Sequence, residues 1–274
     1  MSDKVLPSID HNAFHEQGYI VLRGAFSGER VKALRAGLER LMDDAIAGRC
    51  GIDWLNQEKR LPNRIANMLN SDKYQPEFAD WLDADLAPII ESLLGKPARH
   101  SLFGMLAGGN GQPYLQNWHR DLGKPGTPDE VEFLHRHHGR FVQFNAPIQP
   151  GDCFLHIVPQ SHLRASTPEE IKASSDGEKG EMPGALVVEM EPGDIAFYNS
   201  NLWHRGWNPD GATRWTIHSA YFPQHAPVLQ HEYGQRESLL TPGHLERMPP
   251  VTRTYIQRYL DAYPEGEPLS LLDL

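Results

Sequence analysis

The chain has 274 residues and a formal net charge of −10, from 26 lysines and arginines against 36 aspartates and glutamates. This acidic balance argues against broad binding to nucleic acid or to an anionic membrane surface, where a basic surface dominates affinity, although a local basic pocket is compatible with it. Only two cysteines, no apolar secretory signal at the N-terminus and no apolar run near the roughly 18 residues of a membrane span together predict a soluble, cytoplasmic protein.

The first third of the chain, residues 1–98, has mainly the periodicity of helices. The spacing of its apolar residues predicts three helices and one short strand: a helix at 9–17, a strand at 19–22, a helix between Ser27 and Gly48, and a helix at 76–94. Pro88 should kink or split the last of these helices, because proline lacks a backbone N–H and clashes with the preceding turn.

From about residue 99 the chain changes to short strands separated by glycine and proline. Strands are predicted near residues 99–107, 114–121, 141–146, 154–158, 185–190, 194–199 and 214–222. Many short strands separated by turns predict a mainly β fold with flanking helices, in which two sheets of a jelly roll pack together. The polar residues 165–182 predict an exposed loop or short helix.

A last helix is predicted at about 250–262, where Tyr255, Ile256 and Tyr259 are candidate packing residues. No repeat or linker divides the chain, so one domain is expected over 1–274. Its parts are a mostly helical N-terminal part (1–98), a β core (99–222) and a C-terminal tail with a helix (223–274).

Two distant segments together predict a metal site. His119 and Asp121 are two residues apart, so on an extended chain both side chains leave the same face, and His204 comes from a distant strand. Two imidazoles and one carboxylate leave one side of a metal open, which suits Fe(II) that must also hold a co-substrate and oxygen. Arg214, ten residues beyond His204, is a fixed cation that can bind a carboxylate through two hydrogen bonds. This combination predicts a 2-oxoglutarate-dependent oxygenase.

A His-x-Asp triplet alone is weak evidence, because a chain with 14 histidines contains about one by chance. His244-Leu245-Glu246 has similar chemistry, but no later histidine completes a triad there. The triplet at His119 differs because it follows a strand-like stretch and is completed by His204 and Arg214. The alternative, ordinary polar residues of a β domain, is therefore disfavoured.

Two predicted strands carry polar residues on one face. Arg214, Thr216 and His218 alternate with apolar residues in one strand, and Gln143 and Asn145 do so in the other. Polar side chains that face the inside of a barrel need a ligand or each other. An inward polar stripe therefore predicts a ligand site, and solvent exposure of these faces is the alternative.

Several motifs in order resemble the phytanoyl-CoA dioxygenase family of Fe(II)/2-oxoglutarate oxygenases, and the resemblance covers most of the chain. Residues 14–24 are similar to the entry segment of that family, 118–121 to its first metal motif, 155–162 to its Pro-Gly-Ser-His turn, and 193–204 to its second metal motif. Arg214 falls where the arginine for 2-oxoglutarate belongs in that family. Gln160 replaces the usual glycine of the turn, which leaves the positive φ of that position open.

The resemblance implies a double-stranded β-helix core of the jelly-roll, cupin-like type. It implies that His119, Asp121 and His204 bind Fe(II) and that Arg214 pairs with the distal carboxylate of 2-oxoglutarate. Asn145 and Thr216 are implied as further contacts to this co-substrate.

The activity that the resemblance implies is a dioxygenase that converts 2-oxoglutarate and O2 to succinate and CO2. Because halogenating relatives lack the carboxylate, the presence of Asp121 favours hydroxylation or a related oxidation of the substrate over halogenation. Members of this family act on varied small molecules, so the resemblance does not choose a substrate.

Residues 122–140 follow the first metal motif and begin at the mouth of the predicted iron site. Lys124, three histidines, Arg136 and Arg140 lie in this segment of an otherwise acidic protein. This favours a lid whose cations, Arg136 and Arg140, contact an anionic or strongly polar small-molecule substrate. A solvated surface insertion is the alternative.

Two other functional classes stay open. A cupin-like metalloenzyme without 2-oxoglutarate chemistry would keep the triad but have no use for Arg214, and a catalytically silent binding protein could retain the same fold. Fe(II)-dependent formation of succinate separates the first hypothesis from both. A nucleic-acid demethylase fits poorly, because the sequence has no basic stripe with interleaved aromatic residues.

Overall fold

The fold is built on two antiparallel sheets. The computed structural model describes residues 9–109, 111–122, 124–177 and 180–270. Among these residues, the larger sheet has seven strands in the spatial order β1 (Tyr19–Leu22), β9 (Ile195–Tyr198), β6 (Val142–Pro147), β11 (Arg214–Pro223), β4 (Ala98–Gly108), β3 (Leu61–Ile65) and β2 (Asp53–Asn56). The smaller sheet has four strands in the order β5 (Tyr114–Leu115), β10 (His204–Asn208), β7 (Asp152–Ile157) and β8 (Leu186–Met190). This architecture confirms the predicted jelly-roll class.

The two faces of the larger sheet have different chemistry, because successive strand residues point to opposite sides. One face is apolar and belongs to the main core together with residues of the helices; it includes Ile65, Phe103, Met105, Phe144, Phe197, Ile217 and Tyr221. The other face is turned toward the smaller sheet and carries the polar residues that alternate with these. The sheet therefore separates a hydrophobic core from a polar cavity.

Helices cover the apolar face and lie around the edges of the sheets. They are α1 (His11–Gln17), α2 (Gly28–Ile46), α3 (Pro76–Trp81), α4 (Ala87–Leu94), α5 (Glu130–His137), α6 (Pro168–Ser175), α7 (Arg236–Leu239) and α8 (Pro250–Asp261). A π-helical turn, Leu82–Leu86, joins α3 to α4, and Pro88 lies in the first turn of α4, so the predicted split of this helical stretch is confirmed. Ser27 caps α2 as predicted, since its side chain accepts a hydrogen bond from the Arg30 N–H.

Two strands of the structure, β2 and β3, were not predicted, and β10 was expected only as the strand that carries His204, without bounds. The segments of β2 and β3 contain Pro62 and few apolar alternations, and β10 contains Gly206, so none has the usual signature of a strand. The residues expected to be mostly helical thus also supply β1, β2 and β3 to the larger sheet. Conversely, the strand predicted at 114–121 is regular only at Tyr114–Leu115.

The segment 122–140, which was predicted as a lid or a surface insertion, contains a helix, and the helix in 165–182 confirms the short-helix alternative predicted there. Within 122–140, α5 buries Glu130 and Leu134, and within 165–182, α6 begins with a capping box formed by Thr167 and Glu170. Residues 1–8, 271–274, Gly123 and 178–179 of the predicted segments lie outside the described residues. In the described part of the chain, no helix is both long and apolar enough to cross a membrane. Both cysteines are free thiols.

A buried ion pair ties β4 to the C-terminal segment. The guanidinium of Arg99 and the carboxylate of Glu232 are both fully buried and share two hydrogen bonds, of 2.6 and 3.0 Å. The remaining Arg99 donors reach the carbonyls of His100, Ala226 and Pro227. This arginine is fully engaged, which identifies its role as structural.

Candidate metal centre and co-substrate pocket

Two of the predicted metal ligands are neighbours across an isolated antiparallel bridge. The N–H of His119 donates to the carbonyl of His204 (3.1 Å), and the N–H of His204 donates to the carbonyl of His119 (3.0 Å). Residues paired in this way have side chains on the same face of the sheet. The imidazole rings accordingly lie with their centroids 4.3 Å apart. The backbone of two distant segments thus places the two histidines side by side.

Asp121 completes the group. Its Oδ1 lies 3.5 Å from Nε2 of His119 and 3.7 Å from Nε2 of His204. One ligand atom from each of the three residues lies within 4.8 Å of the others. In the part of the chain that the structure describes, these three residues are the group of metal-ligating side chains that is close enough to hold a metal ion. The second oxygen of Asp121 accepts a hydrogen bond of 3.1 Å from the amide of Gln143, which fixes the orientation of the carboxylate.

Both histidines are held in the tautomer that a metal needs. Nδ1 of His119 lies 2.8 Å from the Asn117 carbonyl, and Nδ1 of His204 lies 2.9 Å from the Leu202 carbonyl. A carbonyl only accepts, so each Nδ1 carries the proton and each Nε2 presents its lone pair to the space beside Asp121. The donor set of two imidazole nitrogens and one carboxylate fits the facial triad that holds Fe(II) with open positions.

The charges of the group also suit a divalent metal. Burial alone would raise the pKa of Asp121, but the adjacent imidazoles of His204 and His119 bring it down to about 2. Burial lowers the pKa of His204 to about 4. For His119 burial acts in the same direction, but the hydrogen bond and charge of Asp121 outweigh it and raise the pKa. At neutral pH the carboxylate is ionised and His204 is neutral, as metal binding requires.

Arg120 lies between His119 and Asp121 in the sequence, and its side chain points away from the metal ligands and anchors this segment to its neighbours. Its guanidinium donates to the carbonyls of Ser161 and Asn201 at 2.6 Å each and stacks over the ring of Trp203 at 5.0 Å. These contacts join the first metal motif to the turn at 159–162 and to the segment that leads into His204. Sequence reasoning did not assign Arg120 a role. The buried hydrogen-bond partners that define this role come from two distant segments.

The turn at 159–162 keeps the backbone conformation expected of glycine. Gln160 has φ 65° and ψ −5°, which is the left-handed region. Ser161 beside it accepts a hydrogen bond from the Trp203 N–H (2.8 Å) and donates to the Val158 carbonyl (2.7 Å). The substitution of glycine by Gln160 therefore leaves the geometry of the turn intact, at the conformational cost that a side chain carries there.

Arg214 lies in the same cavity as the metal group. This cavity has a volume of about 240 Å³, and its lining includes His119, Asp121, His204 and Arg214. Arg214 is buried, with 3% of its side chain exposed. Two contacts fix the position of its guanidinium. Its Nε donates to the hydroxyl of Thr216 (3.1 Å), and its guanidinium lies over the ring of Phe154 at 5.2 Å.

Asp152 anchors this arrangement from the smaller sheet. Thr216 donates a short hydrogen bond to Asp152, whose Oδ2 also lies 3.9 Å from Nε of Arg214. Within the described part of the chain, the two terminal nitrogens of Arg214 have no hydrogen-bond partner. A positioned guanidinium fork thus faces a cavity that also contains a metal triad, and this geometry suits a carboxylate ligand.

The two predicted polar stripes both line the cavity. Gln143 and Asn145 face it from β6, and His218 faces it from β11, where Nδ1 of His218 lies 2.9 Å from Oδ1 of Asn145. Thr216 contributes through its contacts to Arg214 and Asp152, as described above. The alternative that these faces are solvent-exposed is wrong, because Gln143, Asn145 and Thr216 are all buried.

Arg136 and Arg140 lie outside this cavity. Arg136 is on the exposed side of α5 and pairs with Glu132 one helical turn away, at 2.5 Å. Arg140 lines a separate surface cavity together with Lys96, Leu122 and Phe222. The structure therefore brings six of the eight predicted site residues together and leaves these two apart. The cavity also contains Arg64, Tyr198 and His231, to which the sequence analysis assigned no role. For Tyr198 a signal was available, because successive residues of the strand Ile195–Tyr198 point to opposite faces of the sheet.

Comparisons with known proteins agree with this geometry. The sequence profile of the phytanoyl-CoA dioxygenase (PhyH) family matches residues 14–208. No curated protein sequence matches the chain closely enough to be counted as a relative.

Solved structures share the fold. EctD from S. alaskensis, solved with 2-oxoglutarate and 5-hydroxyectoine, is 18% identical, with a TM-score of 0.60 over 91% of this chain and 88% of that one. The carbocyclase SnoK of nogalamycin biosynthesis is 18% identical, with a TM-score of 0.58 over 95% and 94%. The epimerase SnoN, in complex with Fe3+, alpha ketoglutarate and nogalamycin RO, is 16% identical, with a TM-score of 0.57 over 95% and 94%.

The cofactors predicted from the sequence, Fe(II) and 2-oxoglutarate, are in keeping with the donor set of the site and with the contents of these structures. The predicted resemblance is confirmed, because the profile spans more than half of the chain and includes both metal motifs. The chain belongs to the phytanoyl-CoA dioxygenase family.

Proposed function

We propose that this protein is an Fe(II)/2-oxoglutarate-dependent dioxygenase that hydroxylates a small polar or anionic metabolite. In this reaction one oxygen atom of O2 enters the substrate and the other enters succinate, as 2-oxoglutarate loses CO2. The observation that carries the proposal is the free guanidinium fork of Arg214 in the cavity that holds His119, Asp121 and His204. A metal triad alone would serve many reactions, whereas the added fork favours a dicarboxylate co-substrate.

The roles of the residues follow from their contacts. His119, Asp121 and His204 would hold the metal, which when bound supplies the activation of oxygen. Gln143 keeps the Asp121 carboxylate in one orientation. Arg214 would bind the distal carboxylate of 2-oxoglutarate, held in place by Thr216 and Asp152.

Other cavity residues would complete the pocket for the co-substrate. Asn145 presents its amide beside His218 and would contact 2-oxoglutarate. Burial and the charge of Asp121 raise the pKa of Tyr198, so its phenol stays protonated and can donate a hydrogen bond into the cavity. Its ring also packs edge-on against His204, with centroids 5.5 Å apart, and restricts the movement of that ligand.

The type of oxidation that the substrate undergoes is proposed from the metal ligands. The structural neighbours include a carbocyclase and an epimerase, so this fold serves more than one outcome. Hydroxylation is proposed because all three protein ligands are present, including the carboxylate of Asp121. The outcome depends on which C–H bond the pocket places next to the metal.

Arg136 and Arg140 are kept as proposed substrate contacts of the segment 122–140. Of the two arginines, Arg140 is better placed to contact a substrate near the metal, because the cavity that it lines also contains Leu122, the residue that follows Asp121. Phe222 of that cavity stacks on Phe141 of the metal cavity at a centroid distance of 4.4 Å, so the two cavities share a wall. Substitution of both arginines by glutamine should lower substrate-coupled turnover while the affinity for 2-oxoglutarate stays unchanged.

The test is a turnover screen. The Fe(II)-loaded protein is incubated with 2-oxoglutarate, O2 and a panel of small polar and anionic compounds, and succinate and oxygenated products are measured. Succinate formation that requires both Fe(II) and 2-oxoglutarate, and a product with one added oxygen atom, are expected. Turnover of a panel compound without 2-oxoglutarate would favour a cupin-like metalloenzyme. The absence of 2-oxoglutarate binding and turnover would favour a silent binding protein.

A further inference from the structure

Arg64 lies on the cavity face of the larger sheet, in β3, which is next to the edge strand β2. In β3, Ile65 points into the main core beneath the helices, so its neighbour Arg64 points to the opposite face. Arg64 is paired in register with Leu106 of β4, and both residues line the metal cavity. Arg64 is exposed, which places it where the cavity meets solvent.

The cavity is open on this side. β5 is the edge strand of the smaller sheet, and its Tyr114 lines the cavity with Arg64. The side chains of His119 and Asp121 are 30% and 26% exposed. Since these ligands are accessible, a molecule that enters past Arg64 can reach the metal position.

The other charged side chains that line the cavity have assigned partners. Asp121 faces the two histidines and accepts from Gln143. Arg205 is stacked between the rings of Trp118 and Trp207, at 4.5 and 3.7 Å from their centroids, and contacts the Gly180 carbonyl. Arg214 is held by Thr216 and is proposed to bind the co-substrate.

Arg64 differs from all of these. Within the described part of the chain, its guanidinium has no carboxylate, carbonyl or aromatic ring as a partner. A cation at the mouth of a cavity, with five donors that match an oxyanion, is suited to the recognition of a charged ligand. Arg64 is not needed for 2-oxoglutarate, because the distal carboxylate of that molecule is assigned to Arg214 and its other carboxylate would lie at the metal.

We propose that Arg64 binds an anionic oxygen group, a carboxylate or a phosphate, of the primary substrate, and so holds the substrate at the mouth of the cavity with its oxidised carbon toward the metal. This inference rests on the proposed function and narrows its substrate class from polar or anionic to anionic. The cavity volume of about 240 Å³ lies below the ~300–1,000 Å³ of typical ligand pockets and must also hold the co-substrate. The substrate is therefore small, or it extends past Arg64 into solvent.

The test compares charged and neutral forms of the same small molecules. The protein, loaded with redox-inactive Zn(II) and saturated with 2-oxoglutarate, is titrated by ligand-observed NMR. The probes are a panel of small carboxylic acids with their primary amides, and a panel of phosphate monoesters with their parent alcohols. Wild-type protein should bind at least one acid or monoester roughly tenfold more tightly than its neutral counterpart, which is the lower end of the range for a charge-assisted pair, as suits an exposed site.

The variants separate Arg64 from other causes. Arg64→Gln should remove this preference, Arg64→Lys should restore part of it as a point charge, and raising the salt concentration should weaken it in wild type. The matched control is Arg49→Gln, an exposed arginine outside the cavity that pairs with Asp44, and this variant should behave as wild type. The panel that shows the preference identifies the anion as carboxylate or phosphate.

Two results would overturn the inference. One is that no acid or monoester binds wild type more tightly than its neutral counterpart, and the other is that Arg64→Gln keeps the preference in full. Affinity for 2-oxoglutarate, measured by calorimetry in the same samples, is expected to be equal in wild type and Arg64→Gln. Loss of 2-oxoglutarate binding in wild type would instead count against the proposed function, so the two failures are distinguishable.

Discussion

The two faces of the larger sheet use the same strands for different purposes. On one face, Phe144, Phe197 and Ile217 are fully buried beneath helices and contribute to stability through burial of apolar area. On the other face, Gln143, Asn145 and Tyr198 are also buried, yet they line a cavity with a metal triad. Neighbouring residues of one strand therefore differ in what their loss should change, stability on one face and ligand binding on the other.

The largest effect is expected at the metal triad on the cavity side. His204→Ala removes one of three protein ligands, so metal content after dialysis should fall from one ion per chain to a trace, and turnover should be lost. The control is His156→Ala, which removes a histidine of the neighbouring strand β7 that does not line the cavity. Full metal occupancy in the His204→Ala variant would remove this residue from the proposed ligand set.

The converse is expected on the helix-covered face. Phe197→Ala deletes a fully buried aromatic ring that packs against Phe144 at 5.6 Å, and it should lower the free energy of unfolding by about 3–5 kcal/mol. The folded fraction should keep its metal affinity. Val187→Ala, at an exposed position of β8, is the control and should change stability by less than about 0.5 kcal/mol. Denaturant unfolding, with metal content measured in parallel, decides whether the two faces are separable in this way.

Arg214 tests the same contrast within β11. Loss of a charge-assisted bidentate pair costs about 1.5–3 kcal/mol, so Arg214→Ala should weaken 2-oxoglutarate binding by roughly 10- to 150-fold. Arg35→Ala is a matched control from the opposite face, because its guanidinium lies over Trp215 of the same strand at 5.8 Å. Calorimetry that finds equal affinity in Arg214→Ala and wild type would contradict the assignment of the co-substrate carboxylate to this arginine.

A pH dependence is expected from the buried histidine at the far end of the sheet. Burial lowers the pKa of His100 to about 4, against 6.5 as its ordinary value, so the folded state holds it neutral. As the pH falls, the imidazole of His100 is protonated in the unfolded chain before it is protonated in the folded protein. The stability of the folded state is therefore unaffected by this histidine above about pH 6.5 and decreases as the pH falls toward 4. The slope is about 1.4 kcal/mol per pH unit. His100→Gln should show a shallower loss of stability over this window in urea unfolding at several pH values, and an unchanged slope would contradict the assignment.

The smallest effect is expected at the turn beside the metal motif. Gln160 adopts φ 65°, which costs a side chain about 1–2 kcal/mol, whereas glycine loses about 0.5–1 kcal/mol more chain entropy on folding. Gln160→Gly should therefore stabilise the protein by roughly 0.5 kcal/mol, a rise of a few degrees at most in Tm. Gln160→Ala keeps the Cβ and should give no such gain. A destabilised Gln160→Gly variant would show that the Gln160 side chain makes compensating contacts.

Much of the site could be predicted because its signals are local. His119 and Asp121 are two residues apart on an extended segment, and Gln143 with Asn145 and Thr216 with His218 alternate with apolar neighbours. Such patterns depend only on the period of the strand. The family motifs add the link to His204, which lies within the profile match over residues 14–208, and to Arg214, which lies beyond that match.

Other parts could not be predicted because they depend on partners far away in the chain. Arg120 and Arg214 are both buried arginines, but Arg120 spends its donors on the carbonyls of Ser161 and Asn201, while Arg214 keeps its fork free. β10 lacks a strand signature because Gly206 lies where a Cβ would approach the Tyr114 ring to 2.9 Å. These properties depend on which segments pack together, and no window of sequence contains both.

The chemical identity of the site follows from the amino-acid sequence, because residue types and their spacing along an extended chain are sufficient to define a set of metal donors and a carboxylate-binding cation. Tertiary packing, in contrast, determines how each cation of the protein is used. It placed Arg136 in a surface ion pair, Arg140 in a neighbouring cavity and Arg64 at the mouth of the metal site. The physical reason is that a charge acquires its role from the groups that surround it in space, and strand pairing across the two sheets is what brings those groups together.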